Sequence, residues 1–173
     1  MPKRRAFGSK AGRIALVHAL AHIELNRGRP SDALDILETG YPLIERGGNR
    51  YEKGLFRLEQ ARAYAQLGRS EEAAAVAMEA STLVGDASPG DAARAYSLVA
   101  DVFAGLGDRS RALELYELAD ELGPADERVR RDIAARRAEL LEQEGRKDEA
   151  LELLKRAMRL ESESRQPRDL AES

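Results

Sequence analysis

The chain of 173 residues contains no cysteine and no tryptophan. Without cysteine there are no disulfides, no thiolate metal ligands and no cysteine nucleophile. Aromatic residues make up 5% of the sequence, so the core must be assembled from Ala, Leu, Val and Ile, and small core residues imply close helix contacts. Only two histidines occur, His18 and His22, which leaves little material for a metal site or a catalytic triad. Neither sign of charge is in large excess. The net charge is −3 and the pI is about 5.6, so the chain as a whole does not carry the basic face of a nucleic-acid binder. No run approaches the ~18 apolar residues that a bilayer span needs. Nor is there a strand signal, because no alternating β-branched run is bounded by turns.

What is abundant is alanine, in a regular frame. Gly28, Gly68, Gly107 and Gly145 are spaced by 40, 39 and 38 residues. Seven residues before each glycine stands Ala21, Ala61, Ala100 or Ala138. Five after it stands Ala33, Ala73, Ala112 or Ala150, and twelve after it Gly40, Ala80, Ala119 or Ala157. Alanine is 29 of 173 residues, too few to fill eleven of twelve such slots by chance. A fixed period near 40 residues is the mark of a stacked repeat array.

Within each period the apolar spacing predicts two helices. In the third, Ala95, Tyr96, Val99, Ala100, Val102, Phe103 and Leu106 form one helical stripe. Gly107 ends that helix because glycine accepts the left-handed conformation there. A second helix, starting in Asp108-Arg109-Ser110, carries Ala112, Leu113, Leu115, Tyr116, Leu118, Ala119 and Leu122 up to Gly123-Pro124. The breakers Gly47-Gly48-Asn49 and 85–90 separate the earlier units, with Ser88 before Pro89 as a cap. Eight helices are expected, at 11–27, 31–46, 51–67, 70–84, 89–106, 109–122, 126–144 and 147–162. They group into units 11–46, 51–84, 89–124 and 126–162 of one domain, 10–162. Residues 1–9 read as a basic tail and 163–173 as a polar one. The fold class is therefore all-α, a solenoid of four helix-turn-helix units. The alanines would sit where paired helices pinch together, since packed interiors tolerate little added bulk. Larger residues fill the neighbouring slots: Tyr64, Phe103 and Leu141 before the glycine, Leu37, Tyr116 and Leu154 after it.

These residues carry a family resemblance. The third unit resembles a tetratricopeptide repeat, matching that family's pattern of small and large residues at Ala100, Phe103, Gly107, Ala112, Tyr116, Ala119 and Pro124. The second and fourth match at Ala61, Tyr64, Gly68, Ala73 and Ala80, and at Ala138, Leu141, Gly145, Ala150 and Ala157. The first departs from the pattern twice, with Glu24 in a large apolar slot and Gly40 in an alanine slot. Units of 38–40 residues exceed the usual ~34. The resemblance implies a right-handed superhelix whose concave groove is lined by the first helix of each pair. It places groove residues at His18, His22 and Leu25, at Leu58, Arg62 and Ala65, at Ser97, Asp101 and Ala104, and at Ala135, Glu139 and Glu142. Asn26, Gln66, Arg94 and Gln143 would flank them. One end of such a groove is neutral to basic and the other acidic, which would orient a bound peptide. The lysines and asparagines of the family's carboxylate clamp are absent from the matching slots.

Other chemistries find less support. His18 and His22 lie one turn apart, a chelating spacing, but no third histidine completes a site. Gly105-Leu106-Gly107 is a helix end and not a phosphate loop. The acid pairs Glu71-Glu72 and Asp148-Glu149 fall at helix starts, where the dipole favours them. Nothing forms a nucleophile elbow. The first residues, with Lys3, Arg4, Arg5, Lys10 and Arg13 ahead of an apolar run, resemble a secretory signal, yet Ala21 is in register with the other repeats. The sequence-based expectation is thus a non-enzymatic, cytoplasmic protein-interaction module without metal or cofactor, binding a protein or peptide rather than nucleic acid or membrane. Its richness in Ala, Arg, Glu, Leu and Gly suits a GC-rich bacterial genome. Arrays of this kind need polar caps. Here the last helix offers Leu151, Leu153, Leu154, Met158 and Leu160, and the first offers Ile14, Val17 and Leu20. Self-association, such as a homodimer through Leu154 and Met158, is the alternative function.

Overall fold

A computed structural model describes residues 9–123 and 126–165, and every regular element among them is helical. The helices are α1 (Lys10–Asn26), α2 (Pro30–Gly47), α3 (Arg50–Gln66), α4 (Ser70–Val84), α5 (Pro89–Gly105), α6 (Arg109–Glu121), α7 (Glu127–Gln143) and α8 (Lys147–Arg165). Starts and ends fall within three residues of the sequence-based limits. The expected basic tail is described only at Ser9, whose hydroxyl caps α1 by accepting from the Gly12 amide. Lys3, Arg4, Arg5, Pro124 and 166–173 lie outside the described residues. Residues 163–165, read as tail, instead continue α8.

The four marked glycines build the same turn four times. Their φ angles are 71°, 74°, 82° and 80° at Gly28, Gly68, Gly107 and Gly145, the left-handed region that side chains resist. Each glycine amide donates to a carbonyl three residues back, as from Gly68 to Ala65 at 3.1 Å. The next amide reaches five back, as from Arg69 to Tyr64 at 2.9 Å. This pair of bonds is the Schellman arrangement, and it satisfies helix-end carbonyls that would otherwise be orphaned. The opposite ends are capped by side chains. Asn49 and Glu52 form a reciprocal capping box, and Ser88 and Asp108 accept from amides three residues on. Before α4 the cap position is Arg69, so Ser70 is the first helical residue.

The alanine seams are buried as the frame requires. Ala21, Ala33, Ala61, Ala73, Ala100 and Ala112 have no exposed surface, and Ala138 and Ala150 almost none. Gly40 shows why the first unit departs from alanine. A Cβ there would lie 2.4 Å from Val17 Cγ1 and 3.2 Å from Val17 Cβ, so a valine on α1 occupies the space an alanine would need. Glu24, the other departure, is held by two guanidiniums of the turn, from Arg27 at 3.0 Å and Arg29 at 3.4 Å. Ile14, expected on the open terminal surface, is instead 4% exposed and joins the core of the first unit.

Packing is strictly local along the array. Each helix pair touches only its neighbours in sequence, which makes the stack close to one-dimensional. Successive first helices touch one another, α1 with α3, α3 with α5, and α5 with α7. Successive second helices do not touch. The first helices therefore lie on the inside of the curve and the second helices splay on the outside. The result is a superhelical solenoid of four helix-turn-helix units.

Candidate functional site

The inner wall is made by α1, α3, α5 and α7, and its polar residues are tied across neighbouring helices. Between α1 and α3 the centre is Glu59, a carboxylate on a residue only 3% exposed. A buried charge needs partners, and Glu59 has two. Its Oε2 accepts from Arg62 at 2.8 Å, and its Oε1 lies 3.0 Å from His22 Nδ1. Arg62 Nη1 is also 3.0 Å from the same Nδ1. Only one contact is a hydrogen bond at a time. A proton on Nδ1 donates to Glu59, whereas the bare nitrogen accepts from Arg62. Arg62 further donates to Asn26 Oδ1 at 3.2 Å, and Gln66 to the Leu25 carbonyl at 3.3 Å. His22, Asn26, Arg62 and Gln66, all named from sequence, thus meet in one lattice.

A second lattice joins α5 to α7. Asp101 accepts from Arg136 at 2.8 Å and from the Tyr116 hydroxyl in a short hydrogen bond. Burial pushes the Asp101 carboxyl above the ordinary range, against the opposing pull of the Tyr116 hydrogen bond and the Arg136 charge. Burial, then the hydrogen bond and charge of Asp101, push the Tyr116 phenol far up, so it stays a donor. Ser97 turns back on its own helix, donating to the Arg94 carbonyl at 2.8 Å. Arg94 and Glu139 are exposed at the wall.

The two lattices follow one rule. The residue six before a turn glycine meets the residue nine before the next: His22 with Glu59, and Asp101 with Arg136. In the middle interval Arg62 would face Leu98, which offers nothing polar, so Arg62 turns back to Glu59 and His22. Among the wall residues that sequence reading missed are Glu59, Arg136, Tyr51, Leu55 and Leu98; for Glu59 and Arg136 the cross-unit register is the signal that finds them. Leu58, expected to face the groove, is 1% exposed, packs in the core with Ala61 and Val99, and shows only at the floor of the concavity between α1, α3 and α5. Leu25 is buried likewise.

Among the concavities on this wall, two are large. One, of ≈ 510 Å³ between α1, α3 and α5, is lined by Ile14, His18, Tyr51, Leu55, Arg94 and Leu98 among others. His18 Nε2 is buried there without a hydrogen-bond partner among the described residues. The other, of ≈ 580 Å³ between α5 and α7, is more polar, and Asp91, Asp132, Arg94, Arg128 and Arg136 line it. Asp101 is there one of four aspartates, with Asp91, Asp126 and Asp132, and three arginines, Arg94, Arg128 and Arg136, stand among them. At the far end, Leu154 and Met158 lie exposed on α8, away from the wall. No helix among the described residues is long and apolar enough to cross a membrane.

Comparison with known proteins agrees with this architecture. A family model described as tetratricopeptide repeat matches residues 138–170. No curated protein matches the chain. Among solved structures, the putative kinesin light chain TPR-like repeats of Podosopora anserina share 19% identity at a TM-score of 0.72. That alignment covers 89% of this chain and 77% of the other. BtubC (BKLC) from P. vanneervenii is 18% identical with a TM-score of 0.72, covering 95% and 71%. MamA is 18% identical with a TM-score of 0.60, covering 93% and 85%. At such identities the likeness is one of fold, and the fold of this chain is the tetratricopeptide-like repeat solenoid.

Proposed function

We propose that the chain is a non-enzymatic adaptor or regulatory scaffold that binds a peptide or protein segment along the inner wall. A tetratricopeptide-like solenoid is in general a platform for protein–protein interaction, and the particular reading rests on one observation. Four inner helices form one wall bearing two large concavities, one more apolar and one more charged. An extended or helical segment could place an apolar side chain between α1, α3 and α5 and a polar one between α5 and α7. His18, His22, Asn26, Gln66, Arg94, Ser97, Asp101 and Glu139 are the proposed contacts, and the setting proposed is the bacterial cytoplasm.

Arg62 is a poor probe of this wall because it compensates buried Glu59. Arg94 is the better one, being exposed beside both concavities. Peptides selected on the wild type from a displayed library should lose at least about tenfold in affinity on Arg94→Glu, a change of ~1.4 kcal/mol. They should be indifferent to Glu114→Arg on the outer helix α6. Equal binding to wild type and Arg94→Glu, with circular dichroism showing both folded, would remove the wall from the mechanism.

A second reading is self-association through the end helices. It is favoured by Leu151 at 52%, Leu154 at 37% and Met158 at 70% exposure.

A further inference from the structure

Every internal junction of the array uses the same slots. On the second helix of a unit, the residues six, nine and thirteen after the turn glycine face the next unit. These are Leu34, Leu37 and Tyr41 on α2, Ala74, Ala77 and Ser81 on α4, and Leu113, Tyr116 and Asp120 on α6. All are buried or half-buried. On the first helix of the following unit, the partners stand twelve, eight and five before its glycine. They are Phe56, Gln60 and Ala63 on α3, Ala95, Val99 and Val102 on α5, and Ile133, Arg137 and Leu140 on α7. All of these are also buried or half-buried.

Contacts within the chain confirm the pairing of the slots. Tyr41 lies with its ring centroid 5.7 Å from that of Phe56. Leu34 and Leu37 share a core with Phe56 and Ala63, and Leu113 and Tyr116 share one with Ile133 and Leu140. Arg137 reaches back to Glu117 at 2.7 Å and Asp120 at 3.9 Å.

The two ends each carry one half of this junction, without a partner among the described residues. On α8 the three slots are Leu151, Leu154 and Met158, at 52%, 37% and 70% exposure. On α1 the complementary slots are Leu16, Leu20 and Ile23, at 46%, 43% and 44%. These six are aliphatic or thioether side chains, larger than the alanines that serve several internal slots.

We propose, resting on the second reading above, that the occupant of each end is the other end of a second copy. The α8 face of one molecule seats on the α1 face of the next, with Met158 against Leu16 in the place of Tyr41 against Phe56. The junction is continuous with an interface the chain already builds three times. It is heterologous, joining two different surfaces, so each copy added leaves one open face of each kind and the assembly grows head to tail.

Sedimentation velocity on the full chain, from low to high micromolar concentration, tests this. The wild type should pass from monomer to dimer and longer species as concentration rises. Two variants block one face each: Leu154→Glu with Met158→Glu on α8, and Leu16→Glu with Leu20→Glu on α1. Circular dichroism checks that both remain helical, which their exposed positions permit. Each variant alone should be monomeric over the whole range, with association weakened at least tenfold. An equimolar mixture should form a heterodimer and nothing larger, because one free α8 face and one free α1 face remain to pair. A wild type that is monomeric at every concentration overturns both the proposal and the second reading on which it rests. Dimerisation of either variant alone overturns the head-to-tail pairing while leaving end association intact, since it would show like ends joining.

Discussion

Gly40→Ala is the sharpest test of how the helices dock. In an ordinary helix interior, alanine is more stable than glycine by about 0.5–1 kcal/mol. At Gly40 the new Cβ would stand 2.4 Å from Val17 Cγ1, 2.9 Å from Cγ2 and 3.2 Å from Cβ. Carbon atoms pack at about 3.5–4.0 Å. Rotating the valine relieves only the Cγ contacts, and Val17 Cβ at 3.2 Å still requires α1 to shift off α2 by a few tenths of an ångström. That movement would loosen Ala21, Ala33 and Leu37, which are fully buried in the same cluster. Overpacking of this kind costs about 1–3 kcal/mol, and with no easy relief the upper part of that range applies. The net expectation is destabilisation by about 1–2 kcal/mol, seen in urea unfolding, or a melting temperature lower by roughly 2–8 °C for a chain of this size. Adding Val17→Ala removes the Cγ1 and Cγ2 contacts and leaves only Cβ at 3.2 Å, so the double variant should be more stable than the sum of the two single changes by about 1 kcal/mol or more. Gly105→Ala is the control. Nothing lies within 4 Å of its added Cβ, and it should be neutral or stabilising. A Gly40→Ala protein at least as stable as the wild type would refute the account of the pinched seam.

Three further outcomes follow from the same geometry. Gly68→Ala places a side chain at φ 74° with open space around it, so its cost is purely the backbone's, about 1–2 kcal/mol in urea unfolding. Tyr116→Phe deletes the donor to Asp101 and should cost about 1.5–3 kcal/mol, the usual worth of a hydrogen bond to a charged group. Asp101 governs a pH dependence. Its folded pKa is raised above the unfolded value, so in the interval between the two the native state holds more protons, and stability falls as pH rises through it. Asp101→Asn should abolish that part of the slope, measured as the difference between the two proteins' unfolding free energies across the acid range. A difference that grows in the opposite sense would contradict the assignment of burial as the dominant cause.

Most of the fold was legible because the turn and the seam are each specified by a residue type. A left-handed turn wants glycine, and a close helix approach wants alanine. The period of these two marks the units, and the helical stripes mark the faces. Glu24 and Gly40 broke the pattern in sequence and stayed unexplained there, because their compensations, Arg27, Arg29 and Val17, lie on other turns or another helix. The inner wall was only half legible. His22, Asn26, Arg62 and Gln66 converge as their register demands. Leu58 lies deeper than a groove position deduced one helix at a time implies, because neighbouring helices cover all of it but its part of the concavity floor.

The wall's chemistry turns on which charges are already engaged. Of its side chains, Glu59 is closed off by His22 and Arg62, and Asp101 by Arg136 and Tyr116. An incoming segment would have to displace those bonds to use them, leaving a buried carboxylate short of partners at a cost of about 1–3 kcal/mol or more. Such contacts favour a rigid wall over a sticky one. On the proposed reading, recognition would then rest more on Arg94 and the apolar floor of Leu55 and Leu98, where α5 meets α3 across the interval whose cross-unit rung is missing, than on the engaged His22 and Asp101. The same absence of a polar partner at Leu98 that turns Arg62 back upon Glu59 leaves this stretch of the wall open. Specificity is therefore expected to concentrate at the middle of the array, and Leu98→Asp should reduce peptide affinity more than Glu139→Ala does. The reverse order in a fluorescence anisotropy titration would move the recognition centre to α7.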